Sequence, residues 1–300
     1  MNTASHYYTE ETRCFGPDQR LIGTLTLPRS PAMRPMPGLI LLNAGVLPRI
    51  GPHRLNVELA RTAALHGVPA IRFDFPGLGD SGFSTSTLPH DEQALVSIEH
   101  AMHELGCTVS APDQFLIAGL CSGADVGLMM AKRDTRVVGL FMIEPYYYPN
   151  ALSGALRIVR RLKQYGLRRA LTRMLELHCQ AGTAPSNQAG PTRALPMNPE
   201  EDARSTPSAR AFAQDMAILL KRGVHLELIY ANSLMGRFDL WRHQSQIFRP
   251  LRQHRHFHVE LVADTDHSFT RIAARKLLVS RMTDWIKENA HLHASARLRR

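Results

Sequence analysis

The segment Gln114-Phe115-Leu116-Ile117-Ala118-Gly119-Leu120-Cys121-Ser122-Gly123-Ala124 reads as a buried strand, a tight turn and a helix in immediate succession. Its centre has the spacing small-x-nucleophile-x-small, the pattern of a nucleophile elbow, with cysteine in the middle. A turn that sharp needs residues nearly free of side chain two before and two after the central one. Gly119 and Gly123 meet that need around Cys121. Shifting the frame to centre Ser122 puts Leu120 on a small-only position. Sterics therefore select Cys121, and a sulfur nucleophile points to acyl transfer.

Around this turn, strand-like and helix-like segments alternate. Residues 11–28 predict an antiparallel hairpin about Gly16-Pro17-Asp18. Strands follow at Gly38–Asn43, Pro69–Phe75, Gln114–Leu120 and Arg136–Ile143, with helices at Leu55–His66, Asp91–Leu105 and Ser122–Lys132. After a break come a helix at Ser208–Leu220, a strand at Val224–Ala231, a helix at Leu240–Leu251, a last strand at Phe257–Val262 and a closing helix at Thr270–Lys287. Such alternation predicts an α/β fold with a mostly parallel central sheet and helices on both faces. The break, residues 150–222, holds two basic helical segments, Ala151–Tyr165 and Leu167–Cys179, then a Gly/Pro/Ser/Asn-rich stretch near 180–207 that reads as flexible. Because sheet elements resume afterwards, the insertion is expected to be a helical lid on one domain made of residues 1–149 and 223–300.

The 300 residues carry a net charge of +10, concentrated at Arg157, Arg160, Arg161, Lys163, Arg168, Arg169 and Arg173 and again at Arg297, Arg299 and Arg300. A solvated helix face with a frayed tail is one reading; a docking face for an acidic partner or a phosphate-bearing substrate, and a membrane surface, are the alternatives. No nucleic-acid motif accompanies the charge, so no nucleic-acid partner is expected. No apolar run approaches the roughly 18 residues of a transmembrane helix. Met1–Tyr7 lacks a basic then apolar run, so no secretory leader is expected. Four cysteines without CxxC spacing fit a reduced, cytoplasmic chain.

A cysteine nucleophile needs a base. His267, in Val262-Ala263-Asp264-Thr265-Asp266-His267-Ser268-Phe269, lies after the last strand and before the closing helix, the position for that base. The acid is open. The segment after the penultimate strand, Leu228–Met235, has no carboxylate before Asp239; Glu144, after the strand ending at Ile143, is the alternative, and a chain without an acid is a third. The oxyanion hole is expected from the Ser122 N–H and the Gly45 N–H, the latter on the small-residue loop Asn43-Ala44-Gly45-Val46. Just beyond, Arg49, His53 and Arg54 are candidates to grip a substrate carboxylate or phosphate, against a capping or surface role.

Other patterns carry less. Gly77-Leu78-Gly79-Asp80-Ser81-Gly82 matches GxGxxG, but Gly82–Thr87 continues as loop and no helix opens on it, so no dinucleotide cofactor is expected. His254, His256 and His258 alternate, as one strand face would show them, without a supporting Cys or carboxylate cluster; no metal is expected. Tyr146-Tyr147-Tyr148 is expected to pack at the lid base or line the pocket.

Taken together these residues resemble the α/β-hydrolase superfamily. Asn43-Ala44-Gly45 with Arg72-Phe73-Asp74-Phe75-Pro76-Gly77-Leu78-Gly79-Asp80-Ser81 resembles its lidded, serine-aminopeptidase-like branch, with Asn-Ala where that branch has His-Gly. Gly119-Leu120-Cys121 and Asp266-His267-Ser268-Phe269 add a similarity to exosortase-associated hydrolases. The resemblance implies a cofactor-free esterase or thioesterase, with Cys121, His267 and Asp239 (or Glu144) as its reactive set. An acyltransferase is the first alternative and a non-catalytic binding protein the second. The expected partner is a small acyl substrate, carried by coenzyme A or by an acyl carrier protein if the basic lid is a docking face.

Overall fold

In the computed structural model, the residues described are 7–30, 36–146, 148, 206–232 and 246–297. The chain divides into two compact units: Met1–Tyr147, Pro207–Ser233 and Ile247–Arg300 form the first, and Tyr148–Thr206 with Leu234–Gln246 the second. The expected lid helices, the stretch near 180–207, the basic cluster and Asp239 lie outside the described residues, as does most of the second unit. The central sheet and the helices packed on it belong to the first unit.

Its elements are β1 (Tyr8–Phe15), β2 (Leu21–Pro28), β3 (Gly38–Leu41), α1 (Leu55–Leu65), β4 (Ala70–Phe73), α2 (His90–Gly106), β5 (Phe115–Leu120), α3 (Ser122–Arg133), β6 (Val137–Ile143), α4 (Ala209–Lys221), β7 (His225–Asn232), β8 (Phe257–Ala263) and α5 (Ile272–Arg297). Among the described residues the strands form one eight-stranded sheet in the order β1-β2-β4-β3-β5-β6-β7-β8. β1 pairs with β2, and β2 with β4, antiparallel; the remaining neighbours are parallel.

The inner strands are short, wholly apolar runs, Gly38-Leu39-Ile40-Leu41 and Phe115-Leu116-Ile117-Ala118-Gly119-Leu120 among them, buried at every position. That is what a parallel strand covered on both faces requires. α1 and α5 pack together on one side, while α2, α3 and α4 share contacts elsewhere. One core cluster joins Leu55, Leu59 and Ala63 of α1 to Leu278, Met282 and Trp285 of α5 across the sheet residues Leu39, Leu116 and Phe141. Phe141 and Trp285 meet edge to face at 5.4 Å.

α5 runs ten residues beyond the Thr270–Lys287 span expected of it. Nothing in Glu288–Arg297 breaks a helix, and buried Asn289 ties the extension down by hydrogen bonds to the Trp285 carbonyl and to His225 Nδ1. α4 begins where expected, because Ser208 Oγ accepts from the Ala211 N–H at 3.1 Å and caps it. Among the described residues no helix is long and apolar enough to cross a membrane.

The β5–α3 junction positions the site. A Cβ on Gly119 would lie 2.3 Å from the Gly123 carbonyl carbon, and one on Gly123 would lie 2.4 Å from the Asn43 carbonyl oxygen. Both obstacles are backbone, so neither yields by a rotamer change. Gly119→Ala should therefore destabilise the protein by about 3 kcal/mol. Gly106→Ala, whose Cβ would come no nearer than 3.6 Å to Pro112 O, should be neutral or stabilising by up to about 1 kcal/mol. Urea unfolding of the two variants checks the contrast.

Candidate active site

Cys121 sits at the crossing of β5 and α3 with φ +56° and ψ −119°. A non-glycine residue there is strained by roughly 1–3 kcal/mol and persists only where its surroundings fix it. They do: the Cys121 N–H donates to Ile143 O at 2.8 Å, and its carbonyl accepts from the Ala124 and Asp125 N–H groups to open α3. The side chain is part-exposed at that helix's N-terminus.

Glu144 follows β6 directly, also left-handed, with φ +52°. Its N–H donates to Ile229 O at 2.8 Å. One carboxylate oxygen accepts from the Ala231 N–H, and Oε2 accepts from His267 Nδ1 at 2.9 Å. With Nδ1 taken, Nε2 is the ring nitrogen left for the hydrogen bond that His267 makes to Cys121. The loop carrying His267 is braced by Asp266, whose Oδ1 accepts from the Thr270 N–H at 2.9 Å, and by the fully buried Phe269. The hydrogen bond to Cys121 and then that to Glu144 raise the His267 pKa to about 10, against burial, which lowers it.

The geometry thus brings Cys121, His267 and Glu144 into one chain of hydrogen bonds. The carboxylate expected first, Asp239, lies outside the described residues. The end of β7 contributes an amide: the Ala231 N–H fixes the carboxylate that arrives from β6. Sequence spacing favours the late-strand position and carries no sign of this backbone anchor.

Asn43 and Asp74 shape the loop opposite. Asn43 is buried; its Nδ2 donates to Leu47 O at 2.7 Å and to Asp74 Oδ1 at 3.3 Å, and its Oδ1 accepts from the Phe75 N–H. Asp74, wholly buried, accepts from the Arg49 and Asp80 N–H groups and from the Arg49 guanidinium at 2.5 Å. Arg49 also reaches Asp80 at 2.6 Å. Burial opposes the Arg49 charge, yet the hydrogen bonds to Asp80 and Asp74 leave its pKa raised. Arg49, a candidate substrate grip, is therefore committed to the protein's own carboxylates. His53 Nε2 is within 3.2 Å of Thr270 Oγ1 and links this loop to the His267 loop; Arg54 is exposed. The Gly45 N–H donates to Ser122 Oγ at 2.8 Å.

The GxGxxG run serves this same loop. Gly79 has φ +51°, and a Cβ there would lie 2.4 Å from the Asp74 carboxylate. α2 does not start until His90. At the sheet edge Glu227, His258 and Glu260 bring candidate ligand atoms within 4.8 Å of one another. His258 is bound to Glu227, and Arg281 to Glu260, as an ion-pair network. Tyr146 packs edge to face on Phe212 at 5.4 Å; Tyr147 lies outside the described residues.

No protein-family model matches the chain, and no curated protein is similar to it in sequence. Solved structures do match. A putative dienelactone hydrolase from Klebsiella pneumoniae is 13% identical with a TM-score of 0.56, covering 93% of this chain and 98% of its own. An esterase from Pyrococcus furiosus is 12% identical with a TM-score of 0.53, over 97% and 94%. An alpha/beta hydrolase from Penicillium is 14% identical with a TM-score of 0.50, over 95% and 99%. At these identities the likeness establishes the fold: this is an α/β-hydrolase fold.

Two outcomes are expected. Removing the wholly buried Asp74 carboxylate takes the acceptor from the Arg49 and Asp80 N–H groups and leaves the Arg49 guanidinium with Asp80 alone, so Asp74→Ala should cost about 3 kcal/mol in urea unfolding. Asp80, whose side chain is 69% exposed, should cost less than about 1 kcal/mol as Asp80→Ala. Second, a histidine pKa raised by folding stabilises the protein fully below the ordinary value near 6.5, and that contribution fades as pH rises through about 10. The stability gap between the protein and His267→Gln should therefore be widest below pH 6.5 and narrow toward pH 10, read as the difference in Tm across that range.

Proposed function

We propose that this protein is an acyl-transfer enzyme with Cys121 as nucleophile, His267 as its base and acid, and Glu144 orienting the histidine. In its simplest form it hydrolyses esters or thioesters. One observation carries this reading: a cysteine held at a strained strand–helix turn is hydrogen-bonded to a histidine whose far nitrogen is fixed by a buried, backbone-anchored carboxylate. Packing alone gives no reason for that order of groups, whereas nucleophilic catalysis does.

In the reaction, His267 holds the proton released from the Cys121 thiol while the sulfur attacks the acyl carbonyl. The carbon–sulfur bond forms and the carbonyl π pair moves onto oxygen. Collapse reforms the carbonyl and expels the alcohol or thiol, which takes the proton from His267. An acyl-cysteine thioester remains. His267 then accepts a proton from water as the water oxygen attacks that thioester, and the proton returns to the departing Cys121 sulfur. Glu144 keeps Nε2 aimed at the sulfur and stabilises the imidazolium, the role of the acid in a Ser-His-Asp set. The names of the structural neighbours, an esterase and a putative dienelactone hydrolase, support ester chemistry as the class.

Transfer to an acceptor other than water is the second reading. It rests on the thioester intermediate, which amines and thiols attack readily. A small acyl substrate is the partner proposed in either case, with coenzyme A or an acyl carrier protein as its handle.

Intact-mass spectrometry after incubation with acyl thioesters and activated esters tests the reading. The protein should gain one acyl group and Cys121→Ala none, with the adduct mapping to Cys121. Glu144→Gln should turn over about 100-fold more slowly. Iodoacetamide should modify Cys121 at pH 6 faster than the exposed Cys14 and Cys107. A chain that takes no acyl group and shows no preference among its cysteines is a binding protein on this fold.

A further inference from the structure

The Gly45 amide has one proton, and Ser122 Oγ receives it at 2.8 Å. That oxygen occupies the distance from Gly45 at which the oxygen of a tetrahedral intermediate is expected to sit, about 2.7–3.1 Å. The loop is not free to reorient the amide. Asn43, two residues earlier, is bonded through both side-chain polar atoms, to Leu47 O, to Asp74 and to the Phe75 N–H. The Asn43 carbonyl also lies against Gly123, with no room for a single carbon between them. The Gly45 N–H and Ser122 Oγ are thus held together from both sides, by the Asp74 network and by the elbow.

Ser122 is itself placed for the reaction. It is the first residue of α3 and adjoins Cys121. Its N–H is one of the first-turn amides that no intrahelical carbonyl satisfies. A hydroxyl offers one proton as well as lone pairs. Among the described residues the Ser122 hydroxyl accepts from Gly45, and its own proton has no acceptor. A hydroxyl that accepts one hydrogen bond is a stronger donor of the next.

Resting on the acyl-transfer reading above, we propose that the second oxyanion donor is the Ser122 hydroxyl, polarised by the Gly45 N–H, in place of the Gly45 amide acting directly. The N–H and O–H of Ser122 hold the same oxygen. As the Cys121 sulfur bonds to carbon, the carbonyl π pair moves onto that oxygen, and both donors strengthen toward it without giving up a proton. The carbonyl reforms when the leaving group departs. This assignment makes Ser122 a catalytic residue through its side chain as well as its backbone.

The test compares the protein with Ser122→Ala and Ser122→Thr, using p-nitrophenyl acetate for turnover, peptide mapping for the adduct, and iodoacetamide for sulfur reactivity. Alkylation passes through no oxyanion, so it reports the Cys121–His267 pair and the fold alone. The expected result for Ser122→Ala is a kcat lower by about 100-fold or more, with KM little changed, the adduct still on Cys121, and the iodoacetamide rate unchanged. Ser122→Thr, which keeps the hydroxyl, should recover to within about tenfold of the unmodified protein.

If Ser122→Ala turns over as fast as the unmodified protein or faster, the Gly45 amide suffices once uncovered, and the hydroxyl assignment is overturned while the acyl-transfer reading stands. Equal losses of turnover and of alkylation would overturn it too, by showing a structural role. An unmodified protein that forms no adduct, or forms it on Ser122, overturns the acyl-transfer reading and this assignment with it.

Discussion

Everything about the site hangs on two backbone contacts in series. Gly119 of β5 lies against the backbone of Gly123 in α3, and Gly123 lies against the carbonyl of Asn43 beyond β3. The first contact lets the chain reverse within one residue, which forces Cys121 into its left-handed conformation at the helix N-terminus. The second brings the Asn43–Gly45 loop to that helix end, where the Gly45 N–H finds Ser122. A methyl group at either glycine would move Cys121, the loop or both. A rigid parallel sheet makes these contacts durable, because the strands on either side are buried at nearly every position.

Two buried carboxylates then divide the labour. Each faces the cost of removing a charge from water, and each meets it with backbone amides as well as a basic partner. Asp74 takes the N–H groups of Arg49 and Asp80 together with the Arg49 guanidinium, whose charge is fixed at any working pH. The result is a permanent bolt between the loops after β3 and β4. Glu144 takes the Ala231 N–H and the His267 ring, whose charge can change. The same construction thus has a titratable partner at Glu144 where it has a fixed one at Asp74.

Much of this was legible from residue order. The elbow glycines, the cysteine between them and the histidine before the last helix follow from sterics and chain order, and local spacing carries both. The apolar runs marked the inner strands because burial on both faces leaves no alternative composition. Other features were not legible, for a common reason: they depend on which groups distant segments bring together. That the end of β7 offers the Ala231 N–H to Glu144 is a property of strand register. Arg49 looked available because its partners stand 25 and 31 residues further on. The bond between the Gly45 N–H and the Ser122 hydroxyl was invisible because nothing in sequence spacing reports a contact across 77 residues. The extra turns of α5 were missed because a buried Asn289 reads as a polar surface residue until His225 is placed beside it.

The position of Glu144 has a consequence for how such a chain can diverge. Cys121 and Glu144 directly follow the adjacent strands β5 and β6, 23 residues apart, with α3 between them. Both are laid down before the chain leaves for residues 148–206, and the stretch 234–246 after β7 belongs to that same second unit. Among the described residues, β7 contributes a main-chain amide, that of Ala231, to this hydrogen-bonded set. A main-chain amide is offered by every residue except proline, so the side chain at position 231 can drift without loss of that contact, while Cys121, Glu144 and His267 stay where the sheet has put them.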